Sequence, residues 1–160
     1  MGCLTPNLDV SITIETSKRT AIPNIQDSHI TYFALSHAKD LGRRHPLARS
    51  RTSPSPAYNC HGLTFASRRT QILQGQYIAT ILSDDQYRAV SETDIMAGDI
   101  VVYYDESGDA NHSGMVIELS AQFSVPIVVS KWGSAGEFIH NVHDCPNQYG
   151  PNKKYYRCQL

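Results

Sequence analysis

Apolar and polar positions change period several times along this chain, and each change predicts an element. From Leu8 to Glu15, Val10, Ile12 and Ile14 alternate with Ser11 and Thr13, the period of a half-buried strand. Ile22-Pro23-Asn24 is a turn signal. Ile30, Phe33, Ala34, His37, Ala38 and Leu41 then recur at helical spacing, predicting a helix that opens at Asp27 or Ser28 and stops at Gly42. His37 on that face reads as a packed or partly exposed histidine. Residues 43–56 hold almost no large apolar side chain and read as a surface loop. The helical period returns behind Asn59, a good N-cap, with Cys60, Leu63, Ala66 or Ser67, Thr70 and Leu73 on one face, and Arg68 and Arg69 pointing away. Gln76 to Leu82 is apolar-rich without a clear period. Ser83-Asp84-Asp85 predicts a short helix through Val90.

After the Gly98-Asp99 turn the period shortens to that of strands. Residues 100–104, 112–119, 125–132 and 137–142 are rich in β-branched and aromatic side chains, and their short connections predict an antiparallel meander. The tail from Cys145 to Leu160 reads as a loop closed by a short edge strand. The pattern as a whole is α+β.

Composition narrows the function classes. At 160 residues, 41% hydrophobic and 18% charged, the chain is long enough for one domain with a sizeable core. That domain spans 1–160. It divides into an N-terminal strand, helix and Arg/Ser/Pro-rich loop (1–57), a core (58–142) and a tail (143–160). A net charge of −1 argues against a dedicated nucleic-acid binder or a polybasic membrane binder. No apolar run reaches the length of a membrane span, and no charged-then-apolar leader opens the chain, so a cytoplasmic location or a non-classical export route is expected. Pro6 stands where the myristoylation pattern needs Ser or Thr. Cys3, Cys60, Cys145 and Cys158 are expected as thiols, although Cys145 and Cys158 could pair. His140, His143 and Cys145 cluster without metal-site spacing, so neither a metal nor another cofactor is expected.

The candidate chemistry begins at Cys60. Its predicted place at a helix start, where free N–H groups and the helix dipole favour negative charge, suits a thiolate nucleophile. The plain alternative is a small buried hydrophobe. A nucleophile needs a base, and His112 opens a strand with Gly114 two residues on, on the same face. Gly114 removes a side chain where the nucleophile helix would approach. His61 lies beside Cys60 but is turned around the helix, which makes it a poor base.

In this order of motifs the chain resembles the papain-like NlpC and CHAP cysteine amidases and peptidases. Asn59-Cys60-His61-Gly62-Leu63 resembles that superfamily's Asp-Cys-Ser-Gly-Leu nucleophile motif. Ala97-Gly98-Asp99-Ile100-Val101-Val102-Tyr103 resembles its Pro-Gly-Asp-Leu-Val strand, and His112-Ser113-Gly114-Met115-Val116 its His-Val-Gly-Ile strand. The resemblance covers about Tyr58 to Val142. It implies a papain-like fold, with a nucleophile-bearing helix packed on an antiparallel sheet that carries the histidine.

It also implies amide hydrolysis through a Cys60–His112 dyad and a thioester, with a peptide, peptidoglycan-like or protein substrate. Deamidation, acyl transfer or an inert binding module on the same fold are the alternatives. Asn59 and His61 depart from the usual Asp and Ser. Glu137-Phe138-Ile139-His140-Asn141 is similar to the segment that supplies the third catalytic residue, which implies His140. A short hairpin would instead place Ser130 to Gly133 opposite His112 and Gly114, leaving Ser130 as the second candidate. Gly62 is expected to keep the oxyanion-binding backbone approachable. Lys131-Trp132-Gly133 is expected to line a substrate cleft, with Trp132 as plain core the alternative.

Overall fold

A computed structural model describes residues 10–159. In chain order its elements are α1 (Tyr32–Arg44), β1 (Arg49–Ser50), α2 (Cys60–Phe65), α3 (Gln76–Asp84), β2 (Tyr87–Val90), β3 (Ile100–Tyr104), β4 (Ala110–Leu119), β5 (Pro126–Lys131), β6 (Glu137–Asn141) and β7 (Asn152–Cys158). All seven strands join one antiparallel sheet, ordered β1-β6-β5-β4-β3-β7-β2. The run β3 to β6 is a meander, as adjacent strands with short connections must be. None of the described helices is long and apolar enough to cross a membrane.

The sheet buries both faces, so β3 is an unbroken apolar run rather than an alternating one. Ile100 and Val102 pack with Ile78, Ile81 and Leu82 of α3. Val101 and Tyr103 face the other way, with Val116, Val128, Val142 and Tyr155. Leu41 of α1 packs on Trp132, Ala135 and Phe138 at one end. The Gly98-Asp99 turn is tied to β7 by buried Asp99, which accepts from Arg157 Nε at 2.6 Å and Nη2 at 2.8 Å. Burial alone would raise that carboxyl, but the hydrogen bonds from Arg157 and the Met96 N–H hold it below the usual carboxylate range.

Five local expectations are corrected by tertiary contacts. Residues 8 and 9 lie outside the described residues, and 10–15 form only isolated bridges, Val10 to Gln26 and Glu15 to Ala21. The alternation of burial survives there without a sheet partner: Ile12 and Ile14 are half-buried between exposed Ser11 and Thr13. Helix α1 starts later than expected because Thr31, not Asp27 or Ser28, caps it by accepting from the Ala34 N–H. Asp27 instead closes a turn onto the His29 N–H. Phe33 is 74% exposed, and Gly42 lies inside the helix, which runs to Arg44.

Helix α2 stops at Phe65, short of Thr70 and Leu73. Ser67 and Arg68 take left-handed φ values of 51° and 64°, and the chain turns so that Gln71 bridges Ile25. Asp84 is no N-cap: it ends α3 and accepts from the Thr16 and Thr20 hydroxyls, after which 87–90 is a strand. Finally, β7 is an inner strand between β3 and β2, not an edge.

Candidate functional site

Asn59 begins the site by joining two segments. Its Oδ1 accepts from the Gly62 N–H, which caps α2, and from the Ile72 N–H, while its Nδ2 donates to the Ile72 carbonyl at 2.7 Å. An aspartate could not make that last bond, since a carboxylate has no donor. This explains why Asn serves where the resembled motif has Asp. Asn59→Asp is expected to lower the melting temperature, because it sets a carboxylate oxygen against the Ile72 carbonyl.

Gly62 serves close packing. A Cβ there would stand 1.7 Å from the Thr70 carbonyl oxygen. Gly62→Ala is therefore expected to cost at least about 1–3 kcal/mol in denaturant unfolding.

Helix α2 stands on the face of β4 that carries Ser113. His61 Nδ1 lies 2.8 Å from Ser113 Oγ, Ser113 Oγ donates to Thr64 Oγ1, and Thr64 donates to the Cys60 carbonyl. With both hydroxyl hydrogens committed, His61 is the donor of the first bond. The last β4–β5 pair is Gly114–Ser130, and Ser113 lies one step beyond it. The backbone N–H groups of Ser113, His61 and Cys60 itself favour the charged form of the Cys60 thiol. Cys60 is 9% exposed. Burial pushes its thiol up to about 11, outweighing those three amides and the charge of Lys131.

The His112 side chain alternates with that of Ser113 along β4; it is 0% exposed, beside its pair partner Tyr103 and stacked on Tyr149 at 3.9 Å. Among the described residues neither of its ring nitrogens has a hydrogen-bond partner. Burial, then the neighbouring His61 and His140, hold it well below the ordinary histidine range. The amide joining His112 to Ser113 thus acts on the thiol, although no bond runs from the imidazole to it. Gly114 makes room for β5, not for α2: a Cβ there would meet Val128 and Ser130 within 3 Å.

His140 sits on β6, a strand beyond Ser130, and its bonds run elsewhere. Nδ1 donates to the Asn141 carbonyl, so Nε2 accepts from Ser130 Oγ at 2.8 Å, and Ser130 Oγ in turn accepts from Trp132 Nε1. Neither His140 nor Ser130 orients His112 here, because each is saturated within that chain. Trp132 is wholly buried against Phe138 at 4.2 Å, so it is core and lines no cleft. His37 is half-buried and stacks on Phe33.

Residues 43–56 are only in part the expected surface loop. Arg43 and Arg44 belong to α1, Arg49 lies in β1, and Arg51 meets Glu137 at 2.5 Å. Cys60, Cys145 and Cys158 are thiols, while Cys3 lies outside the described residues. Among the described residues no three His, Cys, Asp or Glu side chains are placed to hold a metal.

The sequence did not signal Glu137 or Tyr149 as neighbours of this site. Each is brought there by another segment, and a two-residue strand period carries no trace of that.

Burial keeps three histidines neutral: His112, His61 (lowered to about 4) and His140. For each, the unfolded chain takes up a proton below about 6.5 that the folded chain refuses. Their contribution is present above that pH and lost as pH falls. Melting temperature is expected to drop steadily from pH 7 to 5, and less steeply in His61→Gln.

No protein-family model, curated protein or solved structure matches this chain.

Proposed function

We propose that this protein is a cysteine amidohydrolase or peptidase of the papain-like, NlpC/CHAP type, with Cys60 as nucleophile and His112 as general base. One observation carries the reading: a buried histidine with two unpartnered ring nitrogens adjoins, through its own peptide bond, an amide that favours the charged form of the buried cysteine. An unsatisfied buried nitrogen costs about 1–3 kcal/mol, so its retention calls for a reason outside stability.

In this reading the resting pair is neutral thiol and neutral imidazole. When an amide substrate displaces Tyr149 from His112, the Sγ–H proton passes to the imidazole and sulfur bonds to the carbonyl carbon. The resulting oxyanion takes hydrogen bonds from backbone N–H groups at the start of α2. The imidazolium returns its proton to the leaving nitrogen as the C–N bond breaks. Water, deprotonated by His112, then cleaves the thioester and the thiol reforms. Peptidoglycan stem peptides or a glutamine-bearing protein are the substrates to try first, the second being a deamidation.

The burial of Cys60 favours a second reading, an inert module on the same fold. Iodoacetamide labelling against pH separates the two. An enzyme labels at Cys60 below pH 8, and His112→Ala loses that reaction. An inert buried thiol labels only as pH approaches 11, identically in both proteins, and that result would sink the proposal.

A further inference from the structure

Strand β5 ends in a charge that the chemistry above leaves unused. Lys131 is wholly buried, and its ammonium donates to the carbonyls of Ser55 and Gly133 and lies 4.9 Å from the ring centroid of Tyr58. All three partners are neutral. Among the described residues Lys131 makes no ion pair. The nearby carboxylate, Glu137, is already occupied by Arg51, Arg68 and Tyr58. A buried charge without an opposite charge is costly and is seldom kept unless something compensates it.

Helix α2, which opens at Cys60, packs against β5, and the charges of Cys60 and Lys131 act on each other. Lys131 follows Ser130 in the β4–β5 register, so it lies across from Ser113, whose hydroxyl bonds to His61 of α2. The side chains of Ser113 and Lys131 share the face on which α2 stands, and Tyr58, beneath the ammonium, is two residues from Cys60.

We infer that Lys131 is a positioning residue whose ammonium is the counter-charge for the Cys60 thiolate, formed when His112 takes the thiol proton. The inference rests on the cysteine-nucleophile reading. Lys131 also ties the 52–58 segment to β5, so ionisation and the placement of Cys60 depend on one side chain. Burial lowers the ammonium to about 8, while Cys60 and Glu137 raise it, so the charge is present at neutral pH. The titratable groups around the pair are Tyr58 before α2, His61 on α2, His112 on β4, Glu137 on β6, and Cys145 and Tyr149 in the loop after β6. Of these only Glu137 is anionic at pH 7, and its charge is neutralised by Arg51 and Arg68.

The test is the pH profile of Cys60 alkylation by iodoacetamide in wild type, Lys131→Met and Lys131→Arg, with far-UV circular dichroism to verify folding. The midpoint is expected to rise by about one pH unit or more in Lys131→Met, because an adjacent cation is removed, and to return towards wild type in Lys131→Arg. A folded Lys131→Met with the wild-type profile overturns the inference while leaving the dyad intact. Slow labelling of the wild type at every pH below 9 removes the dyad, and the inference with it.

If Lys131→Met does not fold, a second variant decides. Lys131→Gln, which keeps a buried donor for the Ser55 and Gly133 carbonyls but carries no charge, then replaces it, and the alkylation midpoint is expected to rise as for Lys131→Met. An unchanged midpoint overturns the inference.

Discussion

Glu137→Ala is expected to destabilise the protein by about 3–5 kcal/mol, the usual consequence of removing one partner from a buried ion pair. The carboxylate is 0% exposed and accepts four bonds: Arg51 Nη1 at 2.5 Å, Tyr58 Oη at 2.7 Å, and Arg68 Nε and Nη2 at 2.5 and 3.2 Å. These partners come from the segment before α2 and the turn after it, so a single carboxylate on β6 fixes both ends of the helix that carries Cys60. Arg51 and Arg68 are about two-fifths exposed and regain water when Glu137 is lost, which places the cost towards the lower end.

Burial alone would raise this carboxyl, but Arg68, Tyr58 and Arg51 outweigh it and hold it below the ordinary value of 4.5. A depressed carboxyl contributes stability that is present above that value and lost as pH falls through the folded one. Glu137→Ala is therefore expected to show a flatter stability profile below pH 4.5 than wild type. Urea unfolding at pH 7 and pH 4 measures both effects. Equal losses at the two pH values would show that the charge contributes nothing.

His112→Leu is expected to abolish amide hydrolysis while leaving the melting temperature unchanged or raised. A positioned general base contributes about 10²–10⁴ in rate, and loss of proton transfer from a thiol held near 11 adds to that. The stability side follows from the same observation. Leucine has a volume close to that of histidine and removes two buried nitrogens that have no partner. What it gives up is stacking on Tyr149, about 0.5–1.5 kcal/mol for an aromatic pair. A residue that lowers stability and is needed for turnover is the pattern of a functional site. A large fall in melting temperature with activity intact would mark His112 as an ordinary core residue.

Other features were legible before any coordinates. Asn59 caps the helix at Cys60, the strands near 100–104, 112–119, 126–131 and 137–141 form, and Ser130 stands opposite Gly114. Each follows from contacts a few residues apart, or from a hairpin whose register a short connection fixes. The failures share a cause. Thr31 displaced an earlier cap, Ser67 and Arg68 ended a helix that its spacing alone would have continued, and the tail entered the sheet between β3 and β2. In the last two cases a distant segment supplied the deciding bond, from Ile25 to the turn after α2 and from β3 to the tail.

The sequence by itself determined the order of the chemistry: a capped cysteine, then a strand that carries histidine, although that strand opens at Ala110 and not at His112 as expected. Only the tertiary structure decided their condition. Lys131 reaches Ser55 across 76 residues and Arg51 reaches Glu137 across 86, and no local period encodes such pairs. The same long-range packing covers Cys60 and His112 and makes both neutral at rest. Charge state depends on how much water the rest of the chain removes from a side chain, and that is fixed only when distant segments meet.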